Sequence, residues 1–182
     1  MKAIADFILK KRGWDIYYQI PKDIKKAVVI VAPHTSYWDF VVGRISFWSL
    51  NVDTRFLIKK EAFFWPFGIL LKKLGGLPVN RGKAGRLTDA VASMFDDYDS
   101  LFITITPEGT RSQVKKWKLG FYYIALSAKV PIIIGMLDYH SKSGGFKAVY
   151  YPTGDMKKDL KEIQSYYKDV LGKNPERTMI IE

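Results

Sequence analysis

The chain holds two histidines, His34 and His140, and no cysteine. Asp39 follows His34 by five positions, in the run His34-Thr35-Ser36-Tyr37-Trp38-Asp39. A loop that folds back can bring this carboxylate onto one imidazole nitrogen. The tautomer is then fixed, and the other nitrogen is left as a general base. Spacing alone favours a plainer arrangement, a turn histidine followed by an acid at a helix N-terminus. A local triad of Ser36, His34 and Asp39 is weaker still, because no G-x-S-x-G elbow surrounds Ser36. The lack of cysteine removes a catalytic thiol and a thiolate metal site. Two histidines would leave carboxylates to complete a zinc shell, so no metal is expected.

Two further loops carry charge that suits an anion. Residues 74–86, LGGLPVNRGKAGR, combine four glycines with Arg81, Lys83 and Arg86 just ahead of a helical pattern. Basic side chains and free N–H groups at a helix start favour phosphates. An ordinary solvated turn fits these residues equally well. Residues 106–112, TPEGTRS, place Glu108 beside Arg111. Arg111 can grip a phosphate or carboxylate bidentately. Glu108 can pair with an arginine or orient a bound hydroxyl. The alternative is a Glu–Arg turn pair, which contributes little when exposed. Ser36, Lys83 and Arg86 are further candidates for phosphate or donor contacts.

These loops must be positioned by the elements around them. Val28–Val31, Leu101–Ile105 and Ile132–Ile134 are apolar runs of buried-strand length. Arg55–Ile58 and Phe146–Tyr151 read as further strands. Helical spacing links Leu87, Ala90, Val91, Met94 and Phe95, and again Trp117, Phe121, Ile124, Ala125 and Ala128. Leu160, Ile163, Tyr167, Val170 and Leu171 mark a last helix, with Gly172 as its stop. Thr35 or Ser36 would cap a helix through Phe40–Val42, with Asp39 in its first turn. The alternation predicts an α/β fold, a mixed and largely parallel sheet flanked by helices, in a single domain over residues 1–182. Ligands in such sheets bind beyond the carboxyl ends of strands, so the active site is expected there.

With 182 residues, 48% of them hydrophobic, the chain can bury a core, and disorder is excluded. Lys and Arg total 29 against 18 Asp and Glu, a net charge of +11. That charge attracts nucleic acid, phosphorylated ligands or an anionic membrane. No segment reaches the ~20 apolar residues of a membrane span. Residues 63–71, FFWPFGILL, lie between Lys59, Lys60 and Lys72, Lys73. This arrangement suits interfacial insertion, with Phe63, Phe64, Trp65 and Phe67 at headgroup depth and the lysines on anionic lipid. A core helix with snorkelling lysines is the alternative. A helical segment over about residues 1–20, carrying Ile4, Phe7, Ile8 and Trp14, would assist the membrane contact. The start of the chain lacks a convincing secretory signal, which gives a cytoplasmic location.

The order of the motifs resembles the glycerolipid acyltransferases, the lysophosphatidic acid (1-acylglycerol-3-phosphate) acyltransferase family. Its first motif, a histidine and an aspartate with four residues between them, stands as His34 to Asp39. Its second matches Gly76-Leu77-Pro78-Val79-Asn80-Arg81. Its third, P-E-G-T-R, is Pro107-Glu108-Gly109-Thr110-Arg111, and its fourth matches Val130-Pro131-Ile132-Ile133. The first and third together carry the specificity of the match. The resemblance implies transfer of a fatty acyl group from a thioester to the hydroxyl of a lysophospholipid or glycerol-phosphate-type acceptor. Acyl-CoA or acyl carrier protein would be co-substrate, with no bound cofactor and no covalent acyl-enzyme. His34 would be the base and Asp39 would orient it. Arg81, Glu108, Gly109, Thr110 and Arg111 would shape the acceptor site, with the arginines on its phosphate. Such an enzyme would work at an anionic lipid surface, peripheral on the inner face of a membrane. The alternatives are a different lipid or small-molecule acceptor, or a non-catalytic domain for anionic lipid or nucleic acid. No nucleic-acid motif is present, so no nucleic-acid partner is expected.

Overall fold

The computed structural model describes residues 1–18, 21, 23–80 and 84–181, with backbone only at residues 18 and 84–86. The chain forms α1 (Lys2–Lys11), β1 (Asp15–Tyr18), β2 (Lys26–Ala32), α2 (Trp38–Ser49) and β3 (Thr54–Lys59). It continues through α3 (Phe67–Lys73), β4 (Gly76–Val79), α4 (Ala84–Ser93) and β5 (Leu101–Ile105). Then come α5 (Gly120–Ser127), β6 (Ile132–Asp138), β7 (Ser143–Tyr150) and α6 (Met156–Ser165).

All seven strands join one sheet in the order β1-β7-β6-β2-β5-β3-β4. The strand β2 lies at its centre, parallel to β5 on one side and to β6 on the other. Val28 pairs with Ile103 and with Ile132. The outer strands β3 and β4 continue the parallel half, and β7 runs antiparallel to β6. Side chains alternate across the sheet as a period of two requires. Val28, Ile30 and Ala32 pack with Val91, Phe121 and Ile163 on one face. Ala27 and Val29 pack with Phe47 and Leu50 on the other. Burial on both faces is why the central strands are continuous apolar runs. The carboxyl ends of β2, β5 and β6 therefore meet at one edge of the sheet, and the loops that carry His34 and Glu108 leave from there.

The α/β architecture and the expected strands are present, with differences at the ends of elements. The N-terminal segment is not helical through residue 20. Its helix stops at Lys11, Gly13 takes φ +73°, and Asp15–Tyr18 instead pair with β7. The helix expected from Trp117 begins at Gly120, and Trp117 is buried in the approach to it. The last helix ends at Ser165, before Gly172. Tyr167 and Val170 reach the core through tight turns, closed by Tyr167 N–H to Gln164 O at 2.9 Å and Val170 N–H to Tyr167 O at 3.1 Å. The short strand β4 was read as loop because glycine and Pro78 dilute its strand signal, and its edge position tolerates both. Among the described residues no helix is long and apolar enough to cross a membrane.

One buried charge ties α6 to the sheet. Asp159 accepts the Tyr122 and Tyr150 hydroxyls at 2.9 and 2.8 Å, and the Thr153 amide and hydroxyl at 2.7 and 2.6 Å. Burial pushes its carboxyl up, the donors outweigh that, and the group falls to about 2. A depressed folded-state value stabilises the fold above the unfolded value, so the contribution is lost as pH falls from about 4 to about 2. Asp159→Ala strands these donors and is expected to cost about 3 kcal/mol or more at neutral pH by urea denaturation. The difference from wild type should shrink as the acid limit is approached. An unchanged urea midpoint at neutral pH would contradict this account.

Candidate active site

The strand β2 delivers the chain to Pro33 and His34, and α2 starts four residues later at Trp38. The short loop has to turn within that distance. Ser36 Oγ accepts the Trp38 amide at 3.2 Å, satisfying an N–H at the helix start. Asp39, in the first turn, is buried, and its carboxylate curls back over the loop. Oδ2 accepts the Thr35 amide at 2.8 Å and the Ser36 amide at 2.9 Å. The same oxygen lies 3.1 Å from His34 Nδ1. A carboxylate there requires the proton on Nδ1, which leaves Nε2 as the free acceptor. Burial pushes the Asp39 carboxyl up. The hydrogen bonds from His34 and from the Ser36 and Thr35 amides, with a contact from Tyr139, outweigh burial and hold it below its ordinary value.

Glu108 arrives from the end of β5 and turns inward. It is 4% exposed, and Oε1 accepts the His34 backbone N–H at 3.2 Å. Oε2 is buried without a hydrogen-bond partner among the described residues. Burial is the main cause that raises this carboxyl to about 7, against the backbone hydrogen bonds that lower it. Glu108 thus fastens the histidine loop to β5. It forms no ion pair with Arg111, whose guanidinium instead stacks 3.6 Å above the Tyr37 ring. Gly109 takes φ +63°, and a Cβ there would lie 2.9 Å from Lys118 Nζ. Glycine is needed for that backbone conformation, whereas the flexible lysine end could shift aside. Thr110 is exposed, and its hydroxyl accepts the Ser112 amide at 3.4 Å.

The structure thus brings together His34, Ser36, Asp39 and Glu108, with Arg111 attached to the same loop through Tyr37. Arg81 and Lys83 lie outside the described residues, as does the side chain of Arg86, whose backbone is in α4. His140 sits in an exposed turn after β6, where its amide donates to Asp138. Of the candidate membrane residues, Phe64, Trp65 and Phe67 are more than half exposed and Phe63 is partly buried.

The C-terminal segment is a part of the site that sequence reasoning missed. Asn174 donates its side-chain amide to the Thr35 carbonyl at 2.8 Å and its backbone N–H to the Thr35 hydroxyl at 3.1 Å. A Cβ on Gly172 would lie 2.6 Å from the Thr35 hydroxyl, so the segment passes close over the loop. The contact spans 139 residues of sequence, and neither side carries a pattern that announces it.

Residues 15–134 match the family model described as Acyltransferase. The chain belongs to this acyltransferase family. The matched span contains His34, Asp39, Glu108 and Arg111 and ends at Ile134. The protein is therefore an acyltransferase. No curated protein sequence matches the chain significantly. Among solved structures, the chain is similar to the 1-acyl-sn-glycerophosphate (LPA) acyltransferase PlsC from Thermotoga maritima. Identity is 17%, the match covers 91% of this chain and 74% of that one, and the TM-score is 0.62. The likeness establishes a shared fold.

Glu108 gives the acyltransferase a distinct pH signature. Its folded-state value lies above the unfolded one, so the neutral carboxyl favours the fold. That contribution is full below about 4.5 and lost as pH rises to about 7. Glu108→Gln keeps the shape and removes the charge. The stability of the wild type relative to this variant is expected to fall by roughly 3 kcal/mol across that window. Thermal melts of both proteins over the range check this, and parallel curves would refute it.

Proposed function

We propose that the acyltransferase moves a fatty acyl group from a thioester, acyl-CoA or acyl carrier protein, to the hydroxyl of a lysophospholipid or glycerol-phosphate-type acceptor. The observation that carries this reading is the 3.1 Å pairing of His34 Nδ1 with a carboxylate that already accepts two loop amides. Nε2 takes the acceptor proton as the hydroxyl oxygen attacks the thioester carbonyl. The tetrahedral intermediate then expels the thiolate, which recovers the proton from His34. One ester forms, one thioester breaks, and no covalent enzyme intermediate is needed. General-base catalysis of this kind contributes about 10²–10⁴ in rate.

The acceptor phosphate is assigned to Arg111 and Arg81, beside the loop of Gly109 and Thr110. A guanidinium laid flat on an aromatic ring keeps its N–H edge free for bidentate contact with a phosphate. The Tyr37 stack supports that use of Arg111. The exposed Phe64, Trp65 and Phe67 with Lys59, Lys60, Lys72 and Lys73 support a peripheral enzyme on the inner face of a membrane, seated on anionic lipid.

Replacing His34 by alanine is expected to lower kcat by about 10³ or more with an unchanged melting temperature. Near wild-type turnover would sink the mechanism. Arg111→Ala should raise KM for a phosphorylated acceptor by about tenfold or more, as loss of a charge-assisted pair does, and should spare an unphosphorylated one. Equal loss on both acceptors would contradict the assignment. In flotation assays with phosphatidylglycerol-containing vesicles, wild type should bind. The double change Trp65→Ala and Phe67→Ala should weaken binding by roughly tenfold or more. Failure of the wild type to float would exclude the membrane face.

A further inference from the structure

Asp39 Oδ2 is fully engaged, but Oδ1 is not. It is buried and has no hydrogen-bond partner among the described residues. The hydroxyl of Tyr139 is in the same condition, buried and unpartnered. The ends of β6 and β2 lie side by side, and there the phenol influences the Asp39 carboxylate and the carboxylate the phenol. A buried donor and a buried acceptor left side by side each forfeit their solvation unless they pair.

The position of Tyr139 is built. It is the residue after β6, the neighbour of β2, so it stands at the strand end next to His34. Its amide donates to Leu171 O at 3.0 Å. Its ring meets Trp14 edge-on at 5.1 Å, and Lys173 Nζ lies 5.7 Å from its centroid on another side. Contacts from the N-terminal and C-terminal parts of the chain thus hold the ring in place. The residue lies beyond the family-matched span, which ends at 134.

We propose that Tyr139 is a positioning residue whose hydroxyl donates to Asp39 Oδ1 and thereby fixes the carboxylate that orients His34. The inference rests on the reading of His34 as the base. With both oxygens engaged, the carboxylate cannot rotate about its bond to Cβ, and Nδ1 meets a fixed acceptor. The bond runs one way, because burial and the Asp39 charge keep the phenol protonated. The other charged or titratable groups facing the pair are few. His34 comes from the β2 loop, Glu108 from the β5 loop and Lys173 from the C-terminal segment. Asp138, the neighbour of Tyr139, is turned to the following loop, where it accepts the His140 amide and the Ser141 hydroxyl at 3.0 and 2.6 Å.

Tyr139→Phe removes the hydroxyl and keeps the ring between Trp14 and Lys173. Circular dichroism and the melting temperature confirm that the fold is kept. Two readings decide the matter. With ¹³C-carboxyl-labelled aspartate, the Asp39 signal, assigned by its loss in Asp39→Asn, is titrated in wild type and variant. The midpoint should move upward in Tyr139→Phe, since the anion has lost a donor. In steady-state kinetics kcat should fall roughly tenfold, the size of one charge-assisted hydrogen bond, with KM unchanged. A purely structural tyrosine would leave the Asp39 titration where it is. An unmoved midpoint, or an unchanged kcat, overturns the proposal. His34→Ala is run in parallel. If that variant keeps its turnover, the base reading fails, and the titration still decides by itself whether the hydrogen bond exists.

Discussion

A buried carboxylate has to be met by donors, and Asp39 is the buried carboxylate from which the site is built. Its Oδ2 draws the amides of Thr35 and Ser36 and the Nδ1 proton of His34 to one point. That requirement dictates the shape of the loop between β2 and α2. It also explains why neighbouring segments are tied to the loop backbone. Glu108 accepts the His34 amide, and Asn174 donates to the Thr35 carbonyl. The imidazole is placed from behind, through its own amide and its neighbours, and the proposed role of its outer nitrogen rests on that placement.

Two carboxylates flank His34, and their surroundings drive them apart. Asp39 collects donors and is held below its ordinary value, while Glu108 has one oxygen in an unpartnered buried position and rises to about 7. Divergence of this kind separates the roles of paired acids in an active site. Only Asp39 supplies a permanent negative charge to the imidazole. Glu108, which holds its proton to higher pH, fastens the loop through the His34 amide instead.

Much of this was legible in the sequence. The apolar runs at Val28, Leu101 and Ile132 became the three central strands because burial leaves few polar positions in them, Thr104 being one. The His34 to Asp39 spacing survived as a contact because both residues belong to one local turn. What could not be read was non-local or edge-bound. The strand β1 pairs with β7, and the residues it meets lie more than a hundred positions away. The Asn174 clamp and the Tyr139 hydroxyl depend on segments brought together only once the sheet is assembled. Glu108 looked like a surface partner for Arg111, since a charged pair in a Gly-containing turn reads as exposed. Its inward turn follows from the His34 amide needing an acceptor.

The net charge of +11 finds its use in the same geometry. The ends of β2, β3 and β5 lie along one edge of a parallel sheet, so their following loops share that edge. One loop carries His34 and one carries Arg111. The third leads to Phe64, Trp65 and Phe67, with exposed lysines on either side. Tyr37 and Trp38, at the start of α2, add exposed aromatic surface next to the His34 loop. An apolar rim and a cationic group thus lie within one edge of the protein, as the proposed lipid acceptor would require. On the proposed reading, a lipid presented at an interface would meet His34 without its tail crossing water, which would cost about 0.8 kcal/mol for every exposed methylene. The parallel topology puts these loops on one edge, where the proposed surface binding and the proposed catalysis would adjoin.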